Sequence, residues 1–244
     1  MTKISIMGPS IFSWGGFFGL MRSSDIFVLY DDQPYTRNDL SNRNKVFISK
    51  NQIGYITIPY KHTGQKYINY SDLYLLSNIK LRDKYLRGLK MNYSKSKGID
   101  DIEEILISLP WHEKIKLIDF QLAVINTLSE FFKTPQIVLS STIEKKGKSN
   151  HLVEIILNKL NATIYLSAFN SFNYNKEYAL KSSKFKYLYQ HFEYLPYKQP
   201  SEKFYPNLSF IDIIACLGKK NFDKYLKECD KYLTISQREI LGKT

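Results

Sequence analysis

The 244-residue chain carries only two cysteines, Cys216 and Cys229, and neither belongs to a metal-type pair. This excludes a disulfide scaffold, and Cys216, within the apolar stretch IDIIACLG, reads as a buried, inert thiol. Glycine (11) and proline (8) are sparse while Tyr (19) and Phe (15) are plentiful, which excludes fibrous repeats and a disordered chain. No apolar run approaches the length of a membrane span, and the N-terminal MTKISIMGPS has too short an apolar run for a secretory signal. The expected setting is a reducing cytoplasm. There is also no run of five like charges. The 35 Lys and Arg against 23 Asp and Glu leave a net charge of +12, dispersed along the whole chain. Such an excess either forms a solvated Lys-rich surface or attracts an anionic partner. Because basic and aromatic residues are not gathered into one binding motif, no nucleic acid is expected. The four histidines (62, 112, 151 and 191) lack metal-ligand spacing, no metal site is expected, and no Walker loop, G-x-G-x-x-G, G-x-S-x-G or H-E-x-x-H occurs.

What is present is a strand–helix pattern. KISIM (3–7) and DIFVLY (25–30) read as buried strands around a helix-like stretch containing Phe17, Leu20 and Met21. QIVLSS (136–141) and ATIYLS (162–167) form a second such pair. The apolar runs are continuous rather than alternating, which points to a sheet covered on both faces. FKYLYQHF (185–192) alternates and reads as an exposed or edge strand. VFISKNQIGYITIPYK reads as a hairpin, residues 81–93 and 100–109 as helices, and His112–Lys133 as one long helix. The expected fold class is α/β, with a mainly parallel central sheet flanked by helices, a β-hairpin and a helical insertion at about 80–133. One domain would span 1–218, closed by a helix at 209–217 that Ser209 caps and Gly218 ends. Residues 219–244 would form a helical, Lys-rich extension.

Ligands of open α/β sheets bind beyond the carboxyl ends of the strands. Three polar features fall there: Gly8-Pro9-Ser10, Asp31-Asp32 and Ser140-Ser141-Thr142. Asp31 or Asp32 could act as general base toward an amine or hydroxyl, although Asp-Asp-Gln-Pro is also ordinary turn chemistry. If the strand persisted, their side chains would diverge. Asn42-Arg43-Asn44 offers a bidentate guanidinium with flanking amides for phosphate or carboxylate, or merely opens a hairpin strand. Lys61 and Gln65, after the hairpin, are either phosphate contacts or solvated loop residues.

Together these residues resemble the WbqC-like family over about residues 3–218. The resemblance rests on Tyr30-Asp31-Asp32 with Gln33 and Tyr35, on Asn42-Arg43-Asn44, and on Ile58-Pro59-Tyr60-Lys61 with Gln65. It continues through Ser140-Ser141 to Tyr197, Gln199, Phe204, Pro206, Leu208, Ser209 and Asp212. Gly8 stands where the family usually has Gln, and Ser167-Ala168 replaces a usual Ser-Gly. The family occurs among polysaccharide and O-antigen biosynthesis proteins, and its suggested role is attaching glycine or another acyl group to an amino sugar. The resemblance thus implies an acyl or aminoacyl transferase. Asp31 and Asp32 would be its catalytic residues, and Tyr35, Asn42, Arg43, Asn44, Lys61, Gln65, Ser140, Ser141 and Gln199 its substrate contacts. The implied partners are an anionic substrate, a nucleotide-linked amino sugar, and an activated acyl or aminoacyl donor for which an acyl carrier is a candidate. The alternative is a non-catalytic protein binding sugar nucleotides or glycans in a biosynthetic complex.

Overall fold

The computed structural model describes residues 1–61, 68–145, 150–168, 171 and 184–241. Its central sheet contains β1 (Lys3–Met7), β2 (Ile26–Leu29), β7 (Gln136–Leu139), β8 (Ile164–Ser167), β9 (Lys186–Phe192) and β10 (Asp230–Leu233). The order across the sheet is β10-β9-β8-β1-β2-β7, with β10 antiparallel to β9 and all other pairs parallel. Parallel strands bury both faces, and here successive residues serve different cores. Phe27 and Leu29 face a large cluster with α1 (Gly15–Ser23), whereas Val28 and Tyr30 face a smaller one with Ile156 and Leu157 of α5 (Asn150–Lys159). The unbroken run IFVL therefore reflects two covered faces.

The large core also takes in the hairpin β3 (Arg43–Ser49)–β4 (Gln52–Thr57) and the helices α2 (Ile79–Asn92), α3 (Ile99–Ser108) and α4 (Leu117–Leu128). Phe18 of α1 is its aromatic hub. Its ring lies 5.4 Å from Phe17 and 5.6 Å from each of Phe132, Phe210 and Phe222, all edge-to-face. The last two rings begin α6 (Phe210–Leu217) and α7 (Phe222–Cys229), so one side chain joins four segments distant in sequence. Among the described residues no helix is long and apolar enough to cross a membrane.

Two elements differ from the sequence reading. The apolar periodicity of His112–Lys133 covers a shorter helix, because Lys114 adopts a left-handed φ of 64°. Ile115–Lys116 (β6) then pairs with Tyr74–Leu75 (β5) before α4 begins. Ile115 and Phe132 are nevertheless buried, so strand and turn residues extend the helical pattern at both ends. The second difference concerns the sheet edge. β9 is interior, with Tyr187 and Tyr189 buried, and the edge is β10, which lies within the expected helical extension. DKYL is too short and polar to announce a strand. Its Asp230 is held by Ser23 Oγ (2.7 Å), Gln190 Nε2 (2.6 Å) and Tyr232 Oη (2.7 Å), which ties the edge to α1. The chain ends in α8 (Ile235–Leu241).

Numbered by their entry into the sheet, the strands run 3-2-1-4-5-6, the order of doubly wound nucleotide-binding sheets. After β7 the chain returns to the other side of β1 through α5 and β8, which puts the topological switch point between β1 and β8.

Close helix contact makes one glycine indispensable. A Cβ on Gly98 would lie 2.1 Å from the backbone oxygen of Ile214. Gly98→Ala should therefore force α3 and α6 apart and cost about 3 kcal/mol. Urea unfolding should show a lower midpoint with an unchanged slope.

Candidate functional site

The register Leu29↔Leu139 sets the ends of β2 and β7 side by side, so Asp31-Asp32 and Ser140-Ser141 emerge together. Asp31 is 1% exposed, and both its carboxylate oxygens are occupied. Oδ1 accepts from Ser141 N at 2.9 Å and Ser140 Oγ at 3.1 Å, and Oδ2 accepts from Ser141 Oγ at 2.7 Å. Its backbone oxygen accepts from Ser71 N at 2.9 Å. Asp31 thus fastens the β2 end to the turn after β7.

Asp32 is more open. Its Oδ1 also receives Ser140 Oγ, and its Oδ2 pairs with Lys145 Nζ at 2.5 Å. Both carboxylates converge on the Ser140 hydroxyl rather than diverging, because β2 ends at Leu29 and its alternation stops there. Lys145 is the member that sequence reasoning missed. Its side chain is only 6% exposed, donates also to Ser140 O, and lies 6.0 Å from the Tyr30 ring centroid. In the sequence it sits within EKKGK and looks like any solvated lysine. Its five-residue distance from Ser140 was the only signal. Burial pushes the Tyr30 phenol above its usual range, and the nearby Asp32 charge adds to this.

A second group forms a cleft of about 340 Å³ whose lining includes Tyr35, Arg37, Asn42, Arg43 and Tyr60. Arg43 is fixed from three sides. Its Nε donates to Asp39 O (3.2 Å), its Nη2 to Asn38 O (2.5 Å), and its guanidinium lies 4.6 Å from the Tyr55 ring centroid. The Asp39 carboxylate is turned elsewhere, accepting from Ser41 N (2.9 Å), Ser41 Oγ (2.6 Å) and Tyr70 Oη. Among the described residues no carboxylate forms an ion pair with Arg37 or Arg43. The Tyr35 ring packs 4.9 Å from Tyr60 and 5.8 Å from Tyr70. Burial raises both the Tyr35 and Tyr70 phenols, with Tyr60 reinforcing the first and Asp39 the second. Tyr35 therefore stays a neutral phenol beside two cations, while the Tyr70 hydroxyl is committed to Asp39. Tyr35 follows Asp32 by three residues, so the two groups lie within about 11 Å along the chain.

Asn44, Lys61 and Gln199 are not among the lining residues of this cleft. Asn42 also braces β4's exit, donating to Ile58 O at 2.7 Å. Asn44 is buried and donates to Phe12 O at 2.7 Å, which anchors the loop after β1. Lys61 is exposed, and its backbone N donates to Tyr74 O at 2.8 Å. Gln65 lies outside the described residues. Gln199 is 6% exposed and belongs to the core: its Nε2 donates to Tyr205 O (2.9 Å) and to Asp212 Oδ2 (2.8 Å). Asp212 is fully buried and also accepts from Tyr93 Oη (2.8 Å) and Tyr197 Oη (2.6 Å). The C-terminal pattern from Tyr197 to Asp212 is thus read in the structure as an internal hydrogen-bond network.

A third feature lies at the switch point, a cleft of about 470 Å³ beyond the ends of β1, β8 and β9. Trp14, at the start of α1, forms part of its wall.

The model of the WbqC-like protein family matches residues 8–224, a span that includes every group above. The chain belongs to the WbqC-like protein family. It is also 25% identical over 235 residues to the uncharacterized protein Rv1507c of Mycobacterium tuberculosis, an alignment covering 94% of this chain and 99% of that protein. No solved structure matches the chain. Within this WbqC-like chain, the Asp-Asp and Asn-Arg-Asn signatures occupy two neighbouring polar groups, whereas the Tyr-x-Gln signature is internal.

Two outcomes follow from the buried carboxylates. Asp31→Asn would set an amide against donors now satisfied by a carboxylate, and should cost about 1–3 kcal/mol in denaturant unfolding. Asp212 gives a pH signature. Burial raises its pKa, while hydrogen bonds from Tyr197, Tyr93 and Gln199 pull the other way without prevailing. The folded state then binds its proton more tightly than the unfolded state. That stability is complete below the unfolded value of about 3.9 and is lost as pH rises through the raised folded value. The stability difference between wild type and Asp212→Asn should therefore shift against the wild type as pH rises above about 4. Taking the difference cancels Asp230, which burial also raises, and Asp223, which Arg22 lowers.

Proposed function

We propose that the protein transfers an acyl or aminoacyl group to the amino group of a nucleotide-linked amino sugar, in the polysaccharide-related chemistry that its family resemblance implies. The observation that carries this reading is the cluster of Asp32, Ser140, Ser141 and Lys145 at the carboxyl edge of a doubly wound sheet, adjoining a cleft with two guanidinium groups that no carboxylate among the described residues pairs. The amine nitrogen attacks the acyl carbon, and the bond from that carbon to the donor's leaving group breaks. Asp32, the open carboxylate, takes the proton that the amine sheds. Lys145 holds Asp32 in place and offers positive charge to the oxygen that becomes anionic as the tetrahedral centre forms. Arg43, with Tyr35 and Asn42 beside it, holds the substrate's anionic group, for which a fixed guanidinium is suited to bidentate contact. Asp31 positions Ser140 and Ser141 and does not touch substrate.

A second reading, a binding protein without turnover, is favoured by one observation: Asp31 is saturated and Asp32 ion-paired, as in a rigid scaffold. The experiment is the same for both. Purified protein is incubated with UDP- or dTDP-amino sugars and candidate acyl donors, and the mass of the sugar nucleotide is followed. Transfer predicts a new acylated species, with Asp32→Asn slowing its formation about 10²–10⁴-fold while the fold is retained. Nucleotide-sugar binding with no change in mass would establish the second reading instead.

A further inference from the structure

None of the residues lining the switch-point cleft is among the expected catalytic or substrate-contact residues. Its base is Met7 at the end of β1 and Ala168 just beyond β8, the position at which open α/β sheets hold their ligands. Its volume of about 470 Å³ falls within the range of small-molecule sites. Unlike the Arg43 cleft, it is lined by no Lys, Arg, Asp or Glu among the described residues.

We propose that this cleft binds the nucleobase and ribose of a nucleoside. Trp14, Phe192 and Tyr194 give it aromatic walls, against which a flat base stacks. Among the described residues its hydrogen-bonding side chains are those of Gln190, His191, Tyr194 and Asn207, with the Trp14 indole. Gln190 is 5% exposed, and its Nε2 is committed to Gly16 O (2.8 Å) and Asp230 Oδ1 (2.6 Å). Its Oε1 has no partner among the described residues and is left as an acceptor. Tyr194 Oη is buried and makes no hydrogen bond of normal geometry among the described residues, with the Gly16 amide facing it. A buried hydroxyl in this state marks a place where a further polar group belongs. Asn207, exposed at the rim, adds an amide. Apolar faces with a few edge contacts match a base, which has a π surface and one polar edge. A hexose carries hydroxyls around its whole rim and would leave many of them unpaired here.

This assignment rests on the nucleotide-linked substrate of the proposed function, and its test is kept separate from transfer. The chain has two tryptophans, and Trp111 is 6% exposed within the core, so Trp14 is the fluorescence reporter. Uridine, thymidine, adenosine and glucosamine are titrated separately into the whole protein. The expected result is saturable quenching by at least one nucleoside at millimolar concentration or below, with none by glucosamine. Ala168→Leu, which fills the cleft without adding charge, should abolish it. Asn207→Gly should weaken it several-fold while keeping the backbone, since Asn207 sits at a φ of 60° that glycine adopts freely. Thermal unfolding verifies that both variants fold. Quenching by glucosamine alone, no response to any nucleoside, or nucleoside binding unchanged in both folded variants would overturn the assignment. Arg43→Gln should leave nucleoside binding intact. Nucleoside binding without acyl transfer would sink the transfer reading alone, and transfer without nucleoside binding would sink this one alone.

Discussion

Parallel pairing of β1 with β2 and β8, and of β2 with β7, is the constraint on which the rest of the molecule depends. Parallel strands share their polarity, so every loop that leaves a carboxyl end leaves from one edge. Such a sheet is stable only with both faces covered, which demands two cores and helices on either side. The aromatic hub at Phe18 meets that demand on one face, and α5 with the tyrosines of β8 and β9 meets it on the other. Functional groups can then gather on the common edge because packing is settled beneath them.

The edge is divided by chemistry. Above β2 and β7 lies a charged cluster in which one carboxylate is saturated and the other is paired with a buried lysine. Beside it, a loop holds Arg43 through backbone carbonyls rather than a carboxylate, which fixes the guanidinium without neutralising it. Above β1 and β8 the lining is largely aromatic, with His191 and two amides and no Lys, Arg, Asp or Glu among the described residues. The sugar nucleotide proposed as substrate has corresponding parts: a flat base, an anionic bridge and a polar sugar. The dispersed +12 charge of the chain is consistent with drawing such an anion toward the protein, while the selective contacts come from a few oriented groups.

Family membership and local geometry attach different meanings to the signature residues. Asp31, Asn44, Gln199 and Asp212 are signature positions, yet each spends its hydrogen bonds on the protein itself. Asp212 is a carboxylate held by neutral donors in a buried pocket, an arrangement that rigidifies the helix–loop junction because every member is satisfied. The lysine that completes the polar cluster sits in a Lys-rich stretch with no distinguishing pattern. A motif residue therefore marks a position the fold needs, and only its contacts say for what.

Much of the fold was legible because its signals are local. Continuous apolar runs announced β1, β2, β7 and β8, Ser209 and Gly218 bounded α6, and the convergence of Asp31-Asp32 with Ser140-Ser141 followed from parallel polarity. The sequence by itself determined a doubly covered α/β sheet and the edge on which polar loops gather, since periodicity and strand direction dictate both. Tertiary structure alone decided the rest. A four-residue polar segment became the edge strand because Asp230 found three donors, and the helical pattern of 112–133 broke at Lys114 because its neighbours pack equally well as strand and turn. Lys145 was selected from among many lysines, and the aromatic cleft was assembled from residues as far apart as Met7 and Asn207. Local pattern cannot supply such choices, because they are made by groups that meet only when the chain has folded.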